Sequence, residues 1–239
     1  MSASPLRAAQ PSLKSQLLED LAPHEVKSVL GAATARRFFA RSVIVNQGEP
    51  ANKLFMLLDG RARFFYITPE GRKILFPWIL PGEVFGAASV ARAPKDPTYL
   101  CSTETLEDSR VLVWDRVAMR ELATRLPILL DNLLMISRTY IDWFFAAHVS
   151  LSSHSARYRL AHAIVNVARS IGRNVRGGIE LEITNDELAA AANVTPFTAS
   201  RLLSEWNRLG VIKKSRGKLV LRSPERLFMM KSDSVTTIR

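Results

Sequence analysis

Hydrophobic positions along this chain change their period twice. Between Ala35 and Trp114 they fall in short alternating or wholly apolar runs: RRFFA, SVIVNQ, KLFMLLD, RARFFYIT, KILFPWIL, the stretch from Tyr99 to Thr105, and SRVLVWD. Turn residues separate them at Gly48-Glu49-Pro50, Asp59-Gly60, Pro69-Glu70-Gly71 and Pro81-Gly82. Many short strands at this spacing predict a sandwich or jelly-roll barrel. Beyond Leu126 the period becomes helical, with Pro127 placed to open a long helix. Leu134, Ile141 and His148 form one seam position and Leu130, Ser137, Phe144 and Leu151 the other, at spacings of three and four. That is the pattern of a two-stranded coiled coil. Ser137 and His148 interrupt it, and Tyr140, Trp143 and Phe145 widen the apolar surface, so the alternative to a dimer seam is an isolated core helix packed on its own barrel. His148 reads either as a hydrogen-bonded structural residue or as a pH-sensitive seam contact.

The segment ITNDELAAAANVTPFTASRLLSEWNRLG carries the sharpest local signals. Thr184 and Glu187, three residues apart, make a capping box that starts a helix at Asn185. The helix ends near Asn193, a residue type that tolerates the left-handed backbone of a close reversal. Thr195 caps a second helix with Pro196 at its first position. Leu188, Ala192, Val194, Ala199, Leu202, Leu203 and Trp206 supply the apolar face that joins the two. So short a turn leaves the second helix protruding, as a recognition helix must; spacing alone would also fit an ordinary helical hairpin. Gly210-Val211-Ile212 and KKSRGKLVLR then read as a strand, a basic turn around Gly217 and a returning strand, which is the wing of a winged helix.

Charge favours DNA over the bland hairpin. The chain has 33 Lys+Arg against 22 Asp+Glu. From Ser150 onward there are 15 basic and 7 acidic residues, and before it 18 and 15, so the positive excess sits with the helix-turn-helix. Basicity alone would suit RNA or an anionic membrane equally; the motif selects DNA. A single cysteine, Cys101, excludes a disulfide framework and a cysteine-held cluster within one chain. It reads as a buried small residue rather than a redox sensor. His24, His148, His154 and His162 all lie outside the strand region, which argues against a barrel metalloenzyme. No metal, cofactor or catalytic group is expected. No apolar run reaches the ~18–20 residues of a membrane span, and MSASPLRAAQPSLK lacks the apolar stretch of a signal peptide. A cytoplasmic protein is expected.

Barrel, long helix, second helix and winged helix-turn-helix, in that order, resemble the cyclic AMP receptor protein/FNR (Crp/Fnr) family of bacterial transcription factors. The resemblance rests on GEPANKLFMLLDGRARFF, EGRK, PGEVFG, TLEDSRVLVWD, SARYRLA and the segment from Ile183 to Ile212. It implies an α+β chain with a mobile N-terminal segment (1–20), a cyclic-nucleotide-binding-like β jelly roll with flanking helices (21–125), a dimerisation helix (126–151), a winged helix-turn-helix (152–230) and a tail (231–239). It also implies a homodimer on a near-palindromic double-stranded operator, with RNA polymerase as partner.

The same resemblance assigns the candidate site residues. Base-reading positions fall on Pro196, Phe197, Ser200 and Arg201. Arg201 is suited to guanine O6 and N7, Ser200 to a base edge or phosphate, and Phe197 to a thymine methyl or to packing at the helix start. Thr195, Thr198, Lys213, Lys214, Arg216 and Lys218 are candidates for the DNA backbone. The effector pocket is expected at Gly86, Ala87, Ala88, Tyr99 and Leu100. Members that bind cyclic AMP carry a glutamate and an Arg-Ser or Arg-Thr pair where this chain has Ala87, Tyr99 and Leu100. Tyr and Leu provide no cation for a buried phosphate. Arg92 or Lys95 could supply one from another position. Cyclic AMP is therefore not the expected effector: the pocket is left for an unknown apolar or aromatic small molecule, or for none. The alternatives are a cyclic-nucleotide-responsive activator with a non-standard phosphate contact, or a signalling module that acts through protein contacts.

Overall fold

The computed structural model describes residues 14–91, 97–215 and 217–229, and the chain divides into two compact units, Met1–Trp143 and Phe144–Arg239. The first opens with a 3-10 turn, Gln16–Leu18, and helix α1 (Pro23–Gly31). Strands follow as β1 (Thr34–Phe38), β2 (Val43–Val45), β3 (Lys53–Asp59), β4 (Ala62–Ile67), β5 (Lys73–Ile79), β6 (Val84–Phe85), β7 (Ser102–Thr105) and β8 (Ser109–Asp115). Among the described residues they pair antiparallel in two four-stranded sheets, ordered β1-β8-β3-β6 and β2-β7-β4-β5. This is the expected jelly roll.

Strand β3 shows why KLFMLLD is apolar throughout instead of alternating. Phe55 and Leu57 point between the sheets, with Ala62, Ile79, Phe85, Val111 and Val113. Leu54 and Met56 point the other way, into a second cluster with Trp114, Leu122, Leu129 and Leu133. Successive side chains of a strand face opposite sides, so a strand covered on both faces needs a continuous apolar run. Helices α2 (Arg116–Arg125) and α3 (Ile128–Ser153) provide that second cover. Buried Trp114 donates its indole N–H to Val29 O at 2.7 Å, tying α1 to the barrel.

Three expectations are corrected here. Residues 1–20 are not mobile as a whole: Leu17 is fully buried, and Asn132 Nδ2 donates to Leu17 O and Glu19 O at 3.1 and 2.9 Å. Residues 1–13 and the tail 231–239 lie outside the described residues. The stretch from Tyr99 is strand only from Ser102, because the backbone of Tyr99 pairs with Glu49 O and Gly48 N in a loop. RRFFA is displaced by two residues: β1 is Thr34–Phe38, and Phe39 stands exposed past its end.

Glu104 on β7 is buried between Arg63 of β4 and Lys73 of β5, at 2.7 and 2.6 Å. Burial pushes its pKa up, but hydrogen bonds from Lys73 and Arg63 and their charges outweigh it, and the carboxyl sits below its usual 4.5. A depressed native pKa stabilises the fold above the unfolded value and loses that contribution as pH falls through the native one. Glu104→Gln is therefore expected to destabilise the first unit at pH 7. The difference from wild type should shrink in urea melts taken progressively below pH 4.5.

The second unit begins within α3 and continues as α4 (Ala156–Ile171), β9 (Arg173–Val175), β10 (Gly178–Glu182), α5 (Asn185–Ala191), α6 (Pro196–Arg208), β11 (Ile212–Ser215), β12 (Lys218–Leu221) and α7 (Pro224–Met229). The wing hairpin β11–β12 is not isolated. It joins a four-stranded sheet ordered β11-β12-β10-β9. The hairpin β9–β10 forms in RNVRGGIELE, a segment whose charges and paired glycines carry no strong strand signal.

Candidate nucleic-acid interface and effector domain

Helix α5 starts at the capping box: Glu187 N donates to Thr184 Oγ1 at 3.2 Å, and Thr184 N donates to Glu187 Oε2 at 2.8 Å. Asn193 turns the chain with φ +49°. Thr195 then caps α6, its Oγ1 accepting from Thr198 N at 3.1 Å, with Pro196 in the first turn. Ala199, Leu202, Leu203 and Trp206 bury one face of α6. On the opposite face Phe197 is 79% exposed, Arg201 is exposed without an ion pair among the described residues, and Ser200 is half-buried between them. Spacings of three and four place these three on one side of the helix near its N-terminal end.

Arg159 of α4, absent from the candidates, fixes this geometry. Its guanidinium donates to Ala192 O, Asn193 O and His154 O at 3.1, 3.1 and 2.8 Å, so it holds the carbonyls of the reversal between α5 and α6. Nearby, Arg157 donates to both carboxylate oxygens of Glu205 at 2.9 and 2.8 Å and lies over the Trp206 ring. Only the SARYRLA match pointed to these arginines, and it gave them no role.

The backbone candidates divide. Thr195 and Thr198 hydrogen-bond each other at 2.9 Å through their hydroxyls. Lys213 is exposed and Lys214 half-buried, both without an ion pair among the described residues, and Lys214 N donates to Asn207 Oδ1 at 2.9 Å, which docks the wing on the end of α6. Lys218 is engaged: its ammonium meets Glu180 at 3.2 Å and Glu182 at 3.4 Å, and the hydrogen bond and charge of Glu180 hold its pKa up. Arg216 lies outside the described residues.

Among the described residues, the effector candidates divide between the barrel core and an open groove. Gly86 has φ +83°, and a Cβ there would stand 2.7 Å from Lys53 O. Tyr99 is a core residue. Its phenol donates to Lys53 O at 2.8 Å and accepts from Lys53 N at 3.0 Å, and burial raises its pKa. Leu100 is 86% exposed and, with Ala87 and Ala88, lines an open groove of about 800 Å³. Arg92 and Lys95 lie outside the described residues. Aromatic rings occupy the face of the barrel toward α3: Phe64 packs edge-on to Phe85 and to Tyr140, with centroids at 6.1 and 5.5 Å, and Phe76 packs on Trp143 at 6.4 Å. Tyr140 also donates to Val84 O at 3.1 Å. Phe145 is 68% exposed. Cys101 is half-buried, and burial pushes its thiol pKa to about 11, which keeps it protonated near neutral pH.

The seam positions Leu130, Leu134, Ile141, Phe144 and Leu151 are all exposed along α3, while Leu129, Leu133 and Ile136 are buried against the first unit. Among the described residues no helix is long and apolar enough to cross a membrane.

A jelly roll of the cyclic nucleotide-binding type, a long helix and a capped helix-turn-helix with its wing define a DNA-binding regulator of transcription rather than an enzyme. Residues 35–125 match the cyclic nucleotide-binding domain family, and residues 158–229 match the Crp-like helix-turn-helix domain family. The chain belongs to the Crp/Fnr family of transcriptional regulators. It is 28% identical over 209 residues to the "Cyclic AMP receptor protein" of Thermus thermophilus, covering 87% of this chain and 93% of that one. The fold is shared with FixK2 from Bradyrhizobium japonicum (TM-score 0.70, 20% identity, 85% of this chain and 99% of that one). It is shared too with the c-di-GMP responsive regulator CLP of Xanthomonas campestris (TM-score 0.74, 16% identity, 84% and 100%).

Proposed function

We propose that this regulator acts in the cytoplasm as a homodimer on a near-palindromic operator, with α6 in the major groove, and answers to a small molecule other than cyclic AMP. The observation that carries the DNA reading is the two-sided burial of α6: one face is closed around Trp206, and the other offers Phe197, Ser200 and the unpaired Arg201. Arg201 and Ser200 read bases, Phe197 contacts a thymine methyl, and Thr195, Thr198, Lys213, Lys214 and Arg216 meet the backbone. Lys218 contributes less, because Glu180 and Glu182 already hold its charge. The exposed apolar seam of α3 supports dimerisation, since a strip of Leu, Ile and Phe along a helix calls for a second helix. RNA polymerase is the partner that the family membership suggests.

Against cyclic AMP stand three residues. Ala87 has no acceptor for a ribose hydroxyl, the Tyr99 phenol is committed to the Lys53 backbone, and the Leu100 side chain points to solvent. Selection from a randomised duplex library at two salt concentrations, with and without cyclic AMP, tests the whole reading. An enriched palindrome without nucleotide is the expected result; enrichment only with cyclic AMP would overturn the effector assignment. Lys214→Ala is expected to weaken all duplexes about equally and to reduce the slope of log K against log salt by roughly one. A sequence-selective loss in that variant would move Lys214 from the backbone to the bases.

A further inference from the structure

Two lysines on neighbouring strands of the wing meet opposite surroundings. Lys213 of β11 is exposed and carries no ion pair among the described residues. Lys218, which opens β12 beside the turn at Gly217, is also exposed, yet its ammonium lies between Glu180 and Glu182 of β10 at 3.2 and 3.4 Å. Register explains the clamp. Glu182 stands directly opposite Lys218, and Glu180 lies two residues further along, opposite Val220. Leu181, Leu219 and Leu221 alternate with these positions and are buried, so both glutamates and the lysine share the open face of the sheet. Arg173 of β9 stands across from Glu180 and brings its Nη1 to 4.0 Å from Glu182. Two cations and two carboxylates thus balance on this part of the sheet. Exposed ion pairs add little to stability, so holding the fold together does not account for them.

We infer that Glu180 and Glu182 restrain the wing: they tether Lys218 away from DNA phosphate and so hold the affinity for any duplex below what the wing lysines alone would give. The inference rests on the reading that the wing meets the DNA backbone. A lysine that neutralises a phosphate gains by releasing the counterions condensed there. Lys218 must first leave its carboxylates, and that exchange offsets the gain. The two carboxylates also place like charge beside the incoming phosphates. Arg173 stays near Glu182 when Lys218 leaves, so release of the tether does not strip the pair of every cation. The restraint carries no sequence information, because a phosphate contact carries none. It lowers binding to operator and random duplex alike and leaves discrimination to α6.

Titration of the full chain with random-sequence duplex at two salt concentrations tests the restraint. Glu180→Gln combined with Glu182→Gln should bind about threefold or more tighter at the lower salt. The slope of log K against log salt should steepen by roughly one per protomer, the signature of an added phosphate contact. Adding Lys218→Gln to that pair should take back both the affinity and the slope. The glutamates lie on the open face of the sheet, so circular-dichroism melts of the variants should overlay the wild-type curve. Glu182→Gln alone, at the more exposed carboxylate, should shift affinity and slope in the same direction by less, and it replaces the double variant if that one unfolds. Unchanged affinity and slope in the glutamine variants would overturn the restraint. So would a gain that persists after Lys218→Gln, which would reduce the carboxylates to a general repulsion of DNA. A wild-type chain with no salt-sensitive affinity for duplex would instead remove the DNA reading itself, and the restraint with it.

Discussion

Trp206→Ala is expected to lower the stability of the second unit by about 3–5 kcal/mol, the cost of emptying a large buried aromatic site. Trp206 is fully buried, and its ring lies under the Arg157 guanidinium that also holds Glu205. Losing it removes the packing that orients α6, so DNA binding should fall with stability. Trp206→Phe separates the two contributions. The indole Nε1 is buried with no partner among the described residues, so phenylalanine keeps much of the apolar contact and removes an unsatisfied donor. Its cost should stay below about 1.5 kcal/mol. Urea unfolding followed by circular dichroism measures both. Equal losses in the two variants would mean that the indole nitrogen is satisfied in solution by water.

The second large effect is on specificity. Arg201→Ala should cost roughly 1–3 kcal/mol on the operator, about fivefold to 150-fold in affinity, while random duplex changes far less. Arg201 is exposed on a helix whose opposite face is locked, so the fold should survive the substitution and melting curves should overlay. Competition titrations of operator against random duplex give the answer directly. A variant that still discriminates as well as the wild-type chain would remove Arg201 from base readout and leave the protein-contact reading of the helix-turn-helix in its place.

The wing shows how local and non-local information divide. The strand, basic turn and returning strand were legible because a turn at Gly217 and two short apolar runs are neighbours in sequence. That the hairpin is extended by β10 and β9 was not legible. Gly178–Glu182 meets Lys218–Leu221 across nearly 40 positions, and a five-residue run with two glutamates carries little strand signal alone. The same pairing places Glu182 opposite Lys218 and turns a candidate phosphate contact into an intramolecular ion pair.

The effector domain repeats the lesson. Tyr99 and Leu100 are successive residues, and position in the sequence cannot tell which of the two points inward. The loop pairing of Tyr99 with Gly48 and Glu49 turns Tyr99 into the core and Leu100 out. Arg120, at the edge of the groove that Leu100 lines, is invisible in the sequence for the same reason, since nothing in RVAMRELATR distinguishes it from Arg116 or Arg125.

The order of domains, the two caps of the helix-turn-helix, the left-handed turn at Asn193 and the apolar seam of the long helix are all written in local sequence. Each depends on residues within about one helical turn or one hairpin of each other, where capping and periodicity act. Tertiary packing sets which cations among the described residues stay unpaired, that Arg159 holds the reversal of the helix-turn-helix, and that Arg120 borders the apolar groove. Those outcomes depend on sheet register and on helix packing across tens of residues. A charged side chain gains or loses a partner there through geometry that no local pattern encodes.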